Sequence, residues 1–197
     1  MFKDIVKPAL ILVLVCAFIT GALAYVNSVT ETIIAENERV AEQESLKSVY
    51  SEADSFLEPK GAGALKSEGL EVSERIEKVY EAQKDGQTVG YVVAVSSGGY
   101  GGKIKMLVGI DNGLNIKGIT ITSHNETPGL GAKAADSPEF TDQFLGKAPE
   151  KSYNVVKRAP KDDSEIQAIT AATITSKAVT RGVDDAVALV RSMAGGV

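Results

Sequence analysis

The spacing of hydrophobic and polar residues changes along the chain, and a long uncharged, mainly apolar run stands near its beginning. Residues 8–30 contain no charged side chain, and residues 9–26 are almost wholly apolar. A helix needs ~20 such residues to cross the hydrocarbon core of a bilayer. We therefore predict a transmembrane helix over residues 8–29, preceded by a short cytoplasmic tail over residues 1–7.

The charges that flank this run predict its orientation. Lys3 and Lys7 precede it, whereas acidic residues, beginning with Glu31, follow it. Basic flanks stay in the cytoplasm, so we expect a single-pass protein of the inner (cytoplasmic) membrane, with its C-terminal part on the extracytoplasmic side. The alternative is a cleaved signal peptide with a weak site at residues 21–24. Such peptides have shorter apolar runs of 7–15 residues, so the length favours an uncleaved anchor.

The next segment, residues 30–70, is charged and has sparse apolar positions with partly helical spacing. This pattern is typical of a helical stalk or linker with a narrow buried stripe, and a partner-docking helix is the alternative. Pro and Gly residues at 59–63 predict the end of the helix. We place the folded domain at residues 71–197.

A period of two then replaces the helical period and predicts four strands. Asp85-Gly86 and Asp111-Asn112-Gly113 are hairpin turn signals between them. Consecutive strands with short turns form an antiparallel meander, which packs against helices on a buried face. The predicted strands cover residues 75–82, 88–96, 103–110 and 114–122.

Helical patterns return after the meander, so the predicted fold class is α+β. Ser137-Pro138 reads as an N-cap and first helical residue, and residues 153–157 form a further strand candidate. Residues 176–193 have apolar positions at helical spacing and predict an amphipathic helix of about five turns.

Composition and charge then exclude several functions. The net charge of -5, from 26 acidic and 21 basic residues, argues against a nucleic-acid partner. One Cys and one His do not form a thiolate iron–sulfur site or a typical metal site, so we predict no metal. No motif indicates a hydrolase triad, and we predict no catalytic residue of that kind. Redox chemistry would therefore require an organic cofactor or partner subunits.

The segment 169–176 combines three threonines and a serine with two alanines, directly before the predicted C-terminal helix. The free N–H groups and the positive dipole end of a helix N-terminus favour a phosphate. A hydroxyl there, above all that of Thr173, can bind a phosphate or be esterified to one. The alternative is that these residues are only N-caps of the helix, and spacing alone leaves both interpretations open.

The sequence TAATITSKAV at residues 170–179 resembles the flavinylation motif of FMN-binding domains, S/T-G-A-T/S. These domains occur in the G subunit of Rnf electron transport complexes and in the C subunit of sodium-translocating NADH:quinone oxidoreductases. The resemblance implies that Thr173 carries FMN through a phosphoester bond. Two residues depart from the family pattern: Ala171 replaces a Gly, and Gln167 replaces an Asp.

A second motif resembles the same family. His124 to Gly131 match its pattern H-x-E-T-P-G-L-G, and by resemblance this loop lies over the flavin ring. The glycine-rich loop at residues 96–102 contains Tyr100 and is similar to a loop of the family, although a flexible link is the alternative. The resemblance implies flavin contacts from residues of all three segments: Tyr100, Glu126, Thr127, Gly129, Leu130, Gly131, Lys133, Thr170, Ala171, Ala172, Ile174 and Ser176.

The resemblance further implies a membrane-anchored electron relay in an Rnf-type, ferredoxin:NAD-type ion-translocating oxidoreductase. The protein would be one component of that enzyme and not a catalyst alone. Its expected partners are the other subunits of the complex, a flavin transferase for maturation, and the lipid bilayer. The alternatives are the C subunit of the sodium-translocating oxidoreductase and a non-redox extracytoplasmic binding module.

Overall fold

The computed structural model of the protein describes residues 2–195. The chain divides into two compact units, Met1–Gln43 and Glu44–Val197. The helices and strands follow in this order: α1 (Phe2–Val49), β1 (Ser55–Phe56), β2 (Lys60–Gly61), α2 (Ala62–Ser67), β3 (Ile76–Lys84), β4 (Gln87–Gly98), β5 (Lys103–Asp111), β6 (Asn115–Ser123), α3 (Lys133–Asp136), α4 (Pro138–Thr141), a 3₁₀ turn (Asp142–Phe144), β7 (Gly146–Lys147), β8 (Asn154–Val156), β9 (Glu165–Gln167) and α5 (Thr173–Met193).

The long helix α1 begins at Phe2 and continues without a break through the predicted boundary at residue 30. The sequence predicts a transmembrane helix over residues 8–29. In the described part of the chain, no helix is both long enough and apolar enough to cross a membrane.

The predicted stalk differs from the observed structure. The helix ends at Val49, about ten residues before the Pro and Gly residues that predict its end. Residues 55–56 and 60–61 are short strands that pair with β3, so this part of the predicted linker belongs to the sheet. Sparse helical spacing does not reveal such pairing, because two-residue strands are too short to have a period of their own.

The predicted α+β fold and its meander are confirmed. Among the described residues, seven strands form one sheet, in which β3, β4, β5 and β6 pair successively and antiparallel. Asp85 and Gly86 both have positive φ, 50° and 75°, as a type I′ hairpin turn requires. Leu114 has φ 62° and completes the second turn.

Helix α5 covers one face of the sheet. Val93 and Val95 of β4 lie in the same hydrophobic core as Val179 and Val183 of α5. The intervening residues of β4 point to the other face, where Val92 packs in a second core with the end of α1. Both faces of the sheet are therefore covered within the second unit.

The end of α1 approaches this second face closely because three glycines remove side chains beneath it. A Cβ on Gly109 or Gly118 would collide with the carbonyl oxygen of Val49, and one on Gly90 would lie 2.7 Å from the ring of Tyr50. The Tyr50 hydroxyl donates a hydrogen bond to the Val89 carbonyl oxygen at 2.9 Å. Burial, with the neighbouring acidic residues, raises the pKa of Tyr50 to about 12. The end of α1 is thus built into the domain.

The remaining elements complete the core beside α5. The strand candidate at residues 153–157 forms β8, which pairs in parallel with β9. Pro138 begins α4, although the Ser137 side chain makes no capping hydrogen bond. Helix α5 begins at Thr173, three residues before the predicted start at Ser176. This earlier start places Thr173 inside the first helical turn.

Candidate functional site

A cleft of about 420 Å³ lies where three segments that are distant in sequence meet. The segments are the glycine-rich loop between β4 and β5, the loop between β6 and α3, and the start of α5. The lining residues are Tyr100, Glu126, Thr127, Leu130, Gly131, Ala171, Ala172, Thr173, Ile174 and Thr175.

The cleft brings together most of the residues that the sequence predicts for a flavin site, but not all of them. Thr170 and Lys133 line a neighbouring cleft of about 430 Å³. Gly129 does not line the first cleft, and its φ of 77° places it at the turn of the loop. Ser176 is buried, with its hydroxyl accepting from the Ile169 N–H and donating to the Ala172 carbonyl oxygen. Ser176 therefore fastens the segment that precedes α5.

Gln167, which replaces the Asp of the family pattern, lies at the second cleft. The side chain of Gln143 forms two hydrogen bonds with the backbone of Gln167. The Gln167 N–H donates to Oε1 of Gln143 at 2.7 Å, and Nε2 of Gln143 donates to the Gln167 carbonyl oxygen at 3.4 Å. The Gln167 side chain is therefore not needed to hold this strand, and the residue is exposed.

Thr173 is the first helical residue of α5 and is half-buried at the cleft. Ala172 occupies the N-cap position, and no side chain there bonds to the free N–H groups. The first N–H groups of a helix have no acceptor within the helix, and the dipole gives this end a partial positive charge. The 21-residue helix thus presents uncapped N–H donors beside the Thr173 hydroxyl, an arrangement that favours an anion.

The backbone conformation of Ala171 explains why the family pattern has a glycine at this position. Its φ is 62°, in the left-handed region that glycine adopts without the penalty of a Cβ. An alanine there costs roughly 1–2 kcal/mol. The turn before Thr173 therefore has the conformation that Gly favours, and this chain adopts it with strain.

Glu126 is a buried carboxylate at the cleft, only 6 % exposed. Its Oε1 accepts a hydrogen bond from the Gly101 N–H at 2.9 Å, and its Oε2 accepts one from the Thr175 hydroxyl at 2.6 Å. A Cβ on Gly99 would collide with Oε1, and one on Gly131 would collide with Oε2. Glycines and donors from separate segments thus form a fitted cradle around this side chain.

The loop that carries Glu126 is ordered by local hydrogen bonds. The Glu126 N–H donates to Nδ1 of His124 at 3.2 Å, so this histidine helps to order the loop. The N–H groups of Leu130 and Ala132 both donate to the Thr127 carbonyl oxygen. The turn therefore directs Glu126 inward and leaves Leu130 at the cleft.

Thr175 and Gly101 are functional candidates that the sequence interpretation missed. Thr175 is in the threonine-rich segment, but its role depends on a carboxylate 49 residues earlier, which spacing cannot reveal. Gly101 acts through its backbone N–H. The only feature of the sequence that could have indicated this role is the glycine-rich composition of its loop.

The mouth of the cleft has apolar side chains that are exposed to solvent. Tyr100 is 74 % exposed, Ile174 55 % and Leu130 42 %. Exposed apolar side chains grouped around a concave site are typical of a ligand or partner surface. The cleft therefore combines an apolar rim, a buried carboxylate and an anion-favouring helix start, which together suit an aromatic ligand that carries a phosphate.

Comparison with known proteins identifies the family. The FMN-binding domain family matches residues 99–188, and the RnfG N-terminal region family matches residues 1–49. The G subunit of the Na⁺-translocating ferredoxin:NAD⁺ oxidoreductase complex of Acetobacterium woodii is 44 % identical over 191 residues, covering 93 % of this chain and 90 % of that protein. The G subunit of the proton-translocating complex of Clostridium ljungdahlii is 36 % identical over 183 residues, covering 92 % and 90 %.

Among solved structures, the C subunit of the Na⁺-translocating NADH-quinone reductase of Parabacteroides distasonis is similar, with a TM-score of 0.49 and 26 % identity. The similarity covers 60 % of this chain and 62 % of that one. The relatives named as G subunits are similar over nearly their whole length. The chain therefore belongs to the family of G subunits of ion-translocating oxidoreductase complexes.

Proposed function

We propose that this protein relays electrons through FMN that is covalently attached to Thr173, as a component of an ion-translocating ferredoxin:NAD-type oxidoreductase complex. The observation that carries the proposal is the convergence of the Thr173 hydroxyl, the uncapped start of α5 and the Glu126 loop at one cleft. The names of the related G subunits support the assignment to such a complex.

The residues of the cleft fit the parts of FMN. The N–H groups at the start of α5 favour the phosphate of the phosphoester, where the helix dipole stabilises its charge. The apolar side chains of Tyr100, Leu130 and Ile174 provide surface for an aromatic ring. Bound FMN accepts and donates one or two electrons, while the protein supplies position and electrostatic environment.

We further propose that residues 8–29 anchor the protein in the inner (cytoplasmic) membrane by a single pass, with the FMN domain on the extracytoplasmic side. The uncharged run over residues 8–30 and the basic residues before it support this proposal. The partners in the proposal are the other subunits of the complex, the lipid bilayer, and a flavin transferase that forms the phosphoester bond.

The intact mass of the denatured full-length chain, purified after co-expression with a flavin transferase, tests the attachment. We expect a mass increase of one FMN less one water, mapped to Thr173 by peptide sequencing. Thr173→Ala should abolish the increase because it removes the accepting hydroxyl.

Thr122→Ala is the matched control, because it removes an exposed threonine hydroxyl that donates to the Lys105 carbonyl oxygen and does not line the cleft. This variant should keep the full mass increase. FMN retained covalently in Thr173→Ala, or lost equally in Thr122→Ala, would overturn the assignment of Thr173.

A further inference from the structure

The hydrogen bond between Thr175 and Glu126 joins the two motifs that form the cleft. The Thr175 hydroxyl donates to Oε2 of Glu126 at 2.6 Å, and both residues are buried, 1 % and 6 % exposed. The second oxygen, Oε1, accepts the Gly101 N–H from a third segment. Each carboxylate oxygen therefore accepts one hydrogen bond, and the two donors together fix the orientation of the carboxylate.

The surroundings of this pair fit closely around the carboxylate. A Cβ on Gly131 would lie 2.7 Å from the Thr175 Oγ1 and would collide with Oε2, and a Cβ on Gly99 would collide with Oε1. No ion pair with Glu126 occurs among the ion pairs of the described residues. A buried charge without a countercharge depends on hydrogen bonds for its stability, so the Thr175 donor is important to it.

We propose that Thr175 is a positioning residue that fixes the Glu126 carboxylate at the cleft and thereby lowers the midpoint potential of the flavin. This inference rests on the proposed function, because it assumes FMN in the cleft. Reduction adds electrons to the flavin, and a fixed negative charge at the same cleft opposes that added charge. The effect requires the Glu126 carboxylate to remain directed inward, which the hydrogen bond from the Thr175 hydroxyl favours.

Loss of this hydroxyl has a predictable consequence. In Thr175→Val, a side chain of nearly the same shape, Oε2 keeps no donor in a buried position. A buried carboxylate oxygen without a donor is costly, so the side chain turns towards water. This movement weakens the negative field at the flavin, and the midpoint potential of the flavin becomes more positive.

The test measures the FMN midpoint potential of the full-length, flavinylated chain by spectroelectrochemical titration. We expect a positive shift in Thr175→Val, and a value close to that of the unaltered protein in Thr175→Ser, which keeps the hydroxyl. Thr175→Ala, which cannot overpack the site, repeats the measurement if the valine variant does not fold.

Thr180→Val is the matched control. Thr180 is a buried threonine of the same helix, and its hydroxyl donates to the Ser176 carbonyl oxygen at 2.8 Å, away from the residues that line the cleft. Its replacement removes a buried hydroxyl of the same kind and lowers stability, but it should leave the potential unchanged.

A double-mutant cycle with Glu126→Gln separates positioning from general structural damage. Glu126→Gln should itself shift the potential positively, and adding Thr175→Val to it should produce no further shift, because the charge is already absent. The same shift in both backgrounds, or no shift in flavinylated Thr175→Val and Thr175→Ala, would overturn the inference while leaving the proposed function intact. Absence of FMN from the unaltered protein would overturn the proposed function itself.

Discussion

Replacing Ala171 with Gly should stabilise the domain, because the backbone at this position already has a conformation that glycine favours. The φ of Ala171 is 62°, and the left-handed region costs a non-glycine residue roughly 1–2 kcal/mol. Glycine also increases the entropy of the unfolded chain, which offsets about 0.4–1 kcal/mol of that gain. The difference between these two ranges is about 0–1.6 kcal/mol, so the expected net stabilisation in Ala171→Gly is about 0.8 kcal/mol.

Ala171 is exposed, so the substitution buries no new surface and creates no cavity, and the backbone effect should dominate. For a domain of this size, a change of 1 kcal/mol moves the melting temperature by about 2–4 °C. Urea unfolding followed by circular dichroism measures the free energy, and a thermal scan of the same samples gives the melting temperature.

Ala172→Gly is the control, since it makes the same chemical change at the next residue. The φ of Ala172 is -130° and its side chain is buried, so glycine should destabilise the domain there by loss of entropy and of packing. If Ala171→Gly destabilises the protein as much as Ala172→Gly does, the argument from backbone strain is wrong. A gain in the first and a loss in the second would support it.

Two further predictions concern stability away from the cleft. Burial, partly opposed by the hydrogen bond from the Tyr153 N–H and reinforced by the adjacent acidic residue, raises the pKa of Asp184 from 3.8 to about 6. The folded state thus binds this proton more tightly than the unfolded state, and its stabilising contribution is lost as pH rises from about 4 through about 6. Because the carboxyl is only half-buried, solvent screening reduces this contribution to the free energy of unfolding to about 1 kcal/mol. Asp184→Asn should be more stable than the unaltered protein by that amount at pH 7.5 but not at pH 4, as measured by urea unfolding. An equal difference at both pH values would contradict this. Gly109→Ala should destabilise the second unit by about 1–3 kcal/mol, because the added methyl group overpacks against Val49. Gly98→Ala is the control, since its added Cβ meets open space, and it should have little effect in the same assay. Equal effects of the two substitutions would contradict the close approach of α1 to the sheet.

The amino-acid sequence by itself determined the local elements of the meander. Alternating apolar residues and the turn signal Asp85-Gly86 specify strands and hairpins through interactions between neighbours in the chain, and the observed strands follow them. The sequence did not reveal the strands at residues 55–56 and 60–61 or the end of α1 at Val49. These features depend on pairing with β3 and on the space above Gly109 and Gly118, which are remote in sequence.

The same distinction applies to the cleft. The two motifs were visible as short segments whose composition and order resemble one family, and they include Thr173 and Glu126. Only the tertiary structure decided that Thr175 bonds to Glu126, that Ser176 fastens the turn before α5, and that Thr170 and Lys133 open into another cleft. Spacing within a segment reports on local periodicity, whereas a hydrogen bond across 49 residues depends on how the sheet and α5 bring the segments together.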